Sequence, residues 1–328
     1  MVNSRKAQLV ISVVFIICVY CLHRYLRFIG ALQTDEGVSK SKSHLQQDDP
    51  TRGGTSMATT NSCTTRKTAP KRIQTKPIWV ASFPGSGAEL FRELITGITG
   101  QPTLDGTAEG VCRNGLAVTC KTHWPTLHEP GYQQDPLVQT RRQRFHSTAI
   151  LLIRNPSKAI PSWYNQFWES RVSGSFHARQ APEESWNKFR RRYHDIEQRI
   201  DQWKEMILYW VRSSRYTVPL IVPYEQMVDP VLGPQLLFQV AETLTTAHVP
   251  LLAQEPSEVT CCWNETVLYR ASMKRSNGYQ PTFLDRHKIY MLKMLDDLIH
   301  QVQDRPKLVT ILQEYRSDVE HKMLIREE

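Results

Sequence analysis

Lys76-Pro77-Ile78-Trp79-Val80-Ala81-Ser82-Phe83-Pro84-Gly85-Ser86-Gly87-Ala88-Glu89-Leu90-Phe91-Arg92-Glu93-Leu94-Ile95 is the stretch on which the fold turns. Its opening part, IWVASF, is short, apolar and rich in β-branched and aromatic residues, the composition of a buried strand. Pro84-Gly85 ends that strand, and GSG leads into a helical pattern over Glu89 to Ile95. A strand, a glycine-bearing turn and a helix form the opening unit of an α/β domain. The N–H groups at such a helix start, with the positive end of its dipole, suit a phosphate. A plain strand-to-helix turn is the alternative for this segment taken alone.

Working outward, Leu116 to Cys120 reads as a second strand, ending in Lys121-Thr122-His123-Trp124-Pro125. Thr148 to Ile153 is a third; it passes through Arg154-Asn155-Pro156 into a helix that Ser157 can cap, with Pro161 in or near its first turn. Pro219 to Glu225 is a fourth. Between the last two, Trp186, Phe189, Tyr193, Ile196, Ile200, Trp203, Ile207 and Trp210 fall at spacings of three, four and seven, predicting one long amphipathic helix. Its aromatic stripe reads as packing, and Arg190-Arg191-Arg192 as a solvated outer face. Further helices are expected near Gln235–Leu244, Asp285–Val302 and Val309–Leu324. Strands alternating with helices predict a three-layer α/β domain with a mainly parallel sheet, whose ligands sit beyond the carboxyl ends of the strands.

The formal charge of the 328 residues is +9, but it is unevenly placed. From Pro77 onward, 29 Lys and Arg face 28 Asp and Glu, whereas the first 76 residues hold 12 basic and four acidic residues. The body therefore lacks the basic excess of a nucleic-acid-binding domain, and no nucleic-acid partner is expected. Ala7 to Leu22 is an uncharged, mostly apolar run flanked by Arg5, Lys6, His23, Arg24 and Arg27. Extended to residue 29, with its arginines snorkelling, it is long enough to enter a lipid bilayer as an uncleaved signal anchor. Residues 1–6 then form a short tail, 30–76 a polar stem unable to bury enough surface to order itself, and 77–328 the folded body.

Seven cysteines are present, of which Cys112, Cys120, Cys261 and Cys262 lie in the body. Adjacent Cys261 and Cys262 are poor partners for each other, so each is expected to pair with Cys112 or Cys120, in either arrangement, with Cys63 left over. Asn264-Glu265-Thr266 is the only glycosylation sequon and reads as a luminal surface loop. The body cysteines form no CxxC pair and the chain has no HxxxH helix, so no metal is expected.

The three turns together, FPGSG opening a helix, KTHWP after the next strand and RNPSKAIPS after the one following, resemble the sulfotransferase superfamily. The WSC-domain-containing sulfotransferase-like branch is the most similar, although no WSC domain is evident here. The resemblance covers Pro77 to near the end of the chain, and the combination of motifs is much more specific than any one of them. It implies a P-loop-like nucleotide-binding core and 3′-phosphoadenosine 5′-phosphosulfate as co-substrate. On that resemblance Pro84, Gly85, Ser86, Gly87 and Ala88 hold the 5′-phosphosulfate, and Arg154 and Ser162 the 3′-phosphate. Lys274, Arg275 and Gly278 close over the latter, and Pro223-Tyr224-Glu225 matches the family's strand ending in Tyr-Glu. His123 is the implied general base and Lys121 the cation that neutralises growing charge.

One departure matters: many members carry Pro-Lys-Ser-Gly-Thr in the first loop, where this chain has Pro84-Gly85-Ser86-Gly87-Ala88. The missing lysine leaves Lys121 or Arg92 to replace it. The expectation is a single-pass type II Golgi membrane protein whose luminal domain sulfates a hydroxyl, by default of a carbohydrate, with protein tyrosine or a lipid-linked sugar still open. An inactive relative that binds nucleotide, glycan or protein is the alternative. A magnesium-dependent kinase of related fold is disfavoured by the absence of GxxxxGK[ST].

Overall fold

The computed structural model describes residues 76–105, 117–125, 147–172, 179–192, 194–214, 216–253, 255–272 and 279–324. The expected anchor, the stem up to residue 75, Cys63, Cys112, and Lys274, Arg275 and Gly278 lie outside these. The described residues all belong to one compact unit, Asn61–Glu328. Strands β1 (Ile78–Ser82), β2 (Thr103–Asp105), β3 (Thr119–Thr122), β4 (Thr148–Ile153) and β5 (Thr217–Pro223) form one sheet in the order β2-β3-β1-β4-β5. Every pairing in it is parallel, with β1 joined to β3 from Ile78↔Thr119 and to β4 from Trp79↔Ala149.

Side chains alternate across the sheet, and each face has its own core. Ile78, Val80, Val118, Ile150 and Leu152 face α1 (Ala88–Thr99), α6 (Leu232–Thr246) and α7 (Pro256–Ser272). Trp79, Ala81, Cys120, Ala149, Leu151 and Ile153 face the other way. That side is covered by α2 (Pro156–Val172), α3 (Glu183–Arg191), α4 (Asp195–Arg212), α8 (Asp285–Gln301) and α9 (Pro306–Leu324), while α5 (Tyr224–Met227) is a single turn after β5. Being buried on both faces, β1 and β4 are apolar almost throughout, as parallel strands in a three-layer domain are. The expected α/β architecture is present.

Local boundaries depart from the sequence reading in instructive ways. β3 runs two residues further than Leu116–Cys120 implied, so Lys121 and Thr122 are strand residues and His123 follows at once. β5 ends at Pro223, and Tyr224 and Glu225 start a helical turn instead of finishing a strand. Pro219 is tolerated because β5 is an edge strand with a register shift between Thr148 and Ile150 of its neighbour. The long aromatic helix is two helices, α3 and α4, parted by an extended Arg192 and a left-handed His194 (φ 67°). Periodicity could not show this break, because the apolar spacing continues through it. Asn155, not Ser157, caps α2: its Oδ1 accepts the Ser157 N–H at 2.9 Å. Pro161 sits inside the helix, in its second turn.

Two elements escaped the sequence reading. β2 is only three residues long. Helix α7 carries Cys261, Cys262 and the sequon, so Asn264 is an exposed helical residue and not part of a loop. Val259, Cys262, Trp263 and Val267 are its buried face, at spacings of three, one and four. Cys120 and Cys261 are disulfide-bonded. Cys120 faces one core while α7 packs on the other, so they are not joined to each other. Cys262 is a free, buried thiol, contrary to the expectation that it would be bridged, and burial pushes its pKa up.

Indole N–H groups tie this framework to the ends of the strands. On α4, Trp203 Nε1 donates to the Arg154 carbonyl at 3.0 Å and Trp210 Nε1 to the Trp124 carbonyl at 2.9 Å. Both indoles are fully buried. The aromatic stripe is packing, as expected, and also fixes the backbone of two motif-bearing turns. Trp210→Phe keeps an aromatic ring but leaves the Trp124 carbonyl without this donor. It should cost about 1–3 kcal/mol, measured as a lower urea midpoint at unchanged m-value.

Candidate functional site

The turn after β1 leads to α1 on one face of the sheet, and the turn after β4 leads to α2 on the other. Neighbouring connections that diverge in this way leave a crevice at the carboxyl edge, where α/β domains bind ligands. The turns singled out in the sequence meet there.

Residues 83–88 make a tight arch into α1. Gly85 and Gly87 have φ of 86° and 88°, in the left-handed region that costs any side chain. Space is equally restrictive. A Cβ at Gly85 would lie 2.4 Å from the Ala159 carbonyl oxygen and 2.6 Å from the Trp163 nitrogen, and one at Gly87 would lie 2.3 Å from the Tyr224 ring. The arch is thus held between the backbone of α2 and the first residue of α5. Gly87 gives α1 no side-chain cap. Ser86 between the glycines is fully buried, and among the described residues its Oγ has no hydrogen-bond partner. A buried hydroxyl without a partner costs free energy unless a ligand or water meets it.

Arg154, at the end of β4, reaches this arch directly. Its Nη1 donates to the Gly85 carbonyl at 2.9 Å and its guanidinium lies 4.1 Å from the centre of the Tyr224 ring. Its Nε is buried with no partner. The residue is braced from several sides. Trp203 holds its carbonyl, and the next peptide N–H, Asn155, donates to Glu225 Oε1 at 3.3 Å. Glu225 Oε2 accepts from Tyr315 Oη at 2.9 Å, and Asn155 Nδ2 donates to Asp318 Oδ2 at 2.9 Å. Helix α9 therefore grips the ends of both β4 and β5. Burial, and after it the Glu225 carboxylate, push the Tyr315 phenol well above its usual pKa, so it stays a donor. Ser162 lies on α2 next to Trp163, whose nitrogen abuts Gly85.

β3 supplies the third wall. His123 is buried, and its Nδ1 lies 2.7 Å from the Ser82 carbonyl and 3.3 Å from Ser82 Oγ. A carbonyl can only accept, so this contact assigns the proton to Nδ1 and leaves Nε2 as the basic nitrogen. Lys121 points to the α1 side, where its Nζ lies 3.2 Å from Glu89 Oε1. Glu89, in the first turn of α1, also accepts from Arg92 Nη1 at 2.8 Å, and Arg92 Nη2 donates to the Thr103 carbonyl at 3.1 Å. Both cations proposed as substitutes for the missing loop lysine thus converge on one carboxylate beside the arch.

The structure brings together Pro84 to Ala88, Lys121, His123, Arg154 and Ser162. Asn264 lies on α7, packed on the opposite face of the sheet from α2 and α4. Sequence reading missed Glu89 and Tyr315, and gave Asn155 of RNPSKAIPS no role of its own. The first is a helix-start acid with no motif around it, and the other two act across 90 and 70 residues of sequence. Among the described residues no group of His, Cys, Asp and Glu could hold a metal, and no helix is long and apolar enough to cross a membrane. Compared with models of known protein families, the chain matches none.

The arch explains the departure at Gly85. With a left-handed backbone and no room for Cβ, a lysine cannot occupy this position unless the turn moves away from α2. Gly85→Lys should therefore lower stability by about 2 kcal/mol or more. A fall in Tm of several degrees, with no gain in affinity for an adenosine 3′,5′-bisphosphate, is the expected result.

Proposed function

We propose that this domain transfers a sulfuryl group from 3′-phosphoadenosine 5′-phosphosulfate to a hydroxyl of a carbohydrate, as the luminal part of a type II Golgi membrane protein. The observation that carries this reading is the buried, unpartnered Ser86 hydroxyl in a two-glycine arch that opens a helix, with Arg154 and His123 at the adjoining strand ends. An arch of this kind suits an anion, through its N–H groups and the helix dipole. Arg154 has donor edges for a phosphate beside the bond that it makes to Gly85.

In the proposed reaction the acceptor hydroxyl attacks sulfur on the side opposite the phosphate. Its proton passes to Nε2 of His123 while Nδ1–H stays on the Ser82 carbonyl, which fixes ring and tautomer. The new bond joins acceptor oxygen to sulfur; the bond that breaks joins sulfur to the bridging phosphate oxygen, and the electron pair leaves with 3′-phosphoadenosine 5′-phosphate. Lys121 lies beside the arch and supplies the cation that the loop itself lacks.

Binding without turnover is the second reading, and the Lys121–Glu89 ion pair favours it, because that cation is already compensated. Calorimetric titration of the full chain with 3′-phosphoadenosine 5′-phosphate tests the donor site. Binding is expected, weakened more than tenfold in Arg154→Ala, and equal affinity in that variant would contradict the role given to Arg154.

The base is tested separately, by transfer of labelled sulfate from the donor to a glycan panel. His123→Ala should reduce transfer by about 10²–10⁴-fold with nucleotide affinity kept; parallel loss of both would remove His123 from the chemistry. Nucleotide binding by the wild-type chain with no transfer to any acceptor would favour the second reading.

A further inference from the structure

We infer that the C-terminal end of α2 carries, at Arg171, a subsite for an anionic group on the acceptor, so that the glycan acted on is acidic. This rests on the donor reading above, which places the reacting end of the acceptor at the arch.

Trp163, Phe167 and Arg171 recur every fourth residue along α2 and form a continuous stack with Arg199 of α4. The Arg199 guanidinium lies 4.1 Å from the Trp163 ring centre, Trp163 and Phe167 are 5.3 Å apart at 23°, and Arg171 lies 4.0 Å from the Phe167 ring centre. Two helices, α2 and α4, thus contribute a guanidinium each. Opposing charge is sparse. Glu169 of the same helix is fully buried, turned toward the Arg179 backbone N–H. Arg171 is exposed and, among the described residues, makes no hydrogen bond or ion pair.

Stacking holds a guanidinium in place without using its in-plane N–H edges. Arg199 already donates Nη1 to Gln202 Oε1 at 2.6 Å, whereas at Arg171 stacking leaves a pre-oriented fork for a carboxylate or sulfate, with less side-chain entropy left to lose on binding than a free surface arginine would have. The patch is local, since the body from Pro77 carries 29 basic against 28 acidic residues. It is also aligned with the chemistry. Trp163, the inner end of the stack, abuts Gly85 of the arch through its backbone nitrogen. Arg171 lies eight residues further on, about 12 Å along the helix axis. An anion held there belongs to an acceptor that extends away from the point of transfer, as an oligosaccharide does.

The full chain would be titrated with a heparin-derived hexasaccharide and with chitohexaose, a neutral chain of equal length, at low and at high salt. Binding of the first and not the second is expected, weakening with salt. Arg171→Gln should weaken it roughly tenfold, with unchanged affinity for 3′-phosphoadenosine 5′-phosphate, while Lys307→Gln, the same charge change on exposed α9, should have no effect. No hexasaccharide binding, or equal weakening by Arg171→Gln and Lys307→Gln, would overturn the subsite. A wild-type chain that binds the hexasaccharide but not the nucleotide would overturn its role as an acceptor site, and would count separately against the donor reading.

Discussion

The arch from Phe83 to Ala88 is confined on two sides at once, and much of the surrounding structure is arranged around that confinement. Gly85 meets the backbone of α2 and Gly87 the ring of Tyr224, each so closely that a Cβ would overlap an atom. Neither contact is local in sequence. The arch keeps its left-handed residues only because the ends of β4 and β5 are themselves fixed, and these are fixed by Trp203 from α4 and by Tyr315 and Asp318 from α9. Arg154 closes the circuit by bonding Gly85 and stacking on Tyr224. A turn that is costly for the isolated chain is therefore determined by tertiary contacts, as strained functional turns commonly are.

Charge follows from the same geometry. Gly85 has no room for a side chain, and near the end of β3 Lys121 projects toward α1 beside the arch. A lysine so buried needs a partner. Glu89 provides one from the first turn of α1, where an acid also complements the helix dipole. The same carboxylate engages Arg92, so one acid orients two cations. On the reading proposed above, the developing charge of a leaving phosphate would compete with Glu89 for Lys121. Glu89 thus becomes as relevant to the chemistry as the residues named by the motifs.

The sheet and the three motif-bearing turns were legible because each rests on local chemistry: apolar runs for β1 and β4, glycines at the arch, and cations or histidine just beyond a strand. What the sequence concealed depends on partners distant along the chain. The register of β3 is set by pairing with β1, which moves Lys121 into the strand. The break between α3 and α4 is invisible to a periodicity that continues from Phe189 to Ile196. Helix α7 was hidden because its cysteine pair suggested a cross-linked loop, whereas Cys262 is a free thiol facing the core. Glu89 and Tyr315 carry no pattern of their own, and Asn155 lies within RNPSKAIPS with no sign of its partner; their importance lies in hydrogen bonds that only the folded chain brings about.

Helix α2 is the element through which these constraints meet. Its backbone at Ala159 and Trp163 shapes the arch, and its start is capped by Asn155, itself held by α9. Trp163 and Phe167 continue from that contact into the stack that ends at Arg171. Rigid placement of a binding group is most effective when it comes from a regular element whose own ends are fixed. On the two readings proposed above, a helix pinned at the arch and ending in a stacked guanidinium would give donor and acceptor one reference frame. On those readings the distance between point of transfer and anionic contact would be set by the helical rise, and an acceptor would be selected by length as well as by charge.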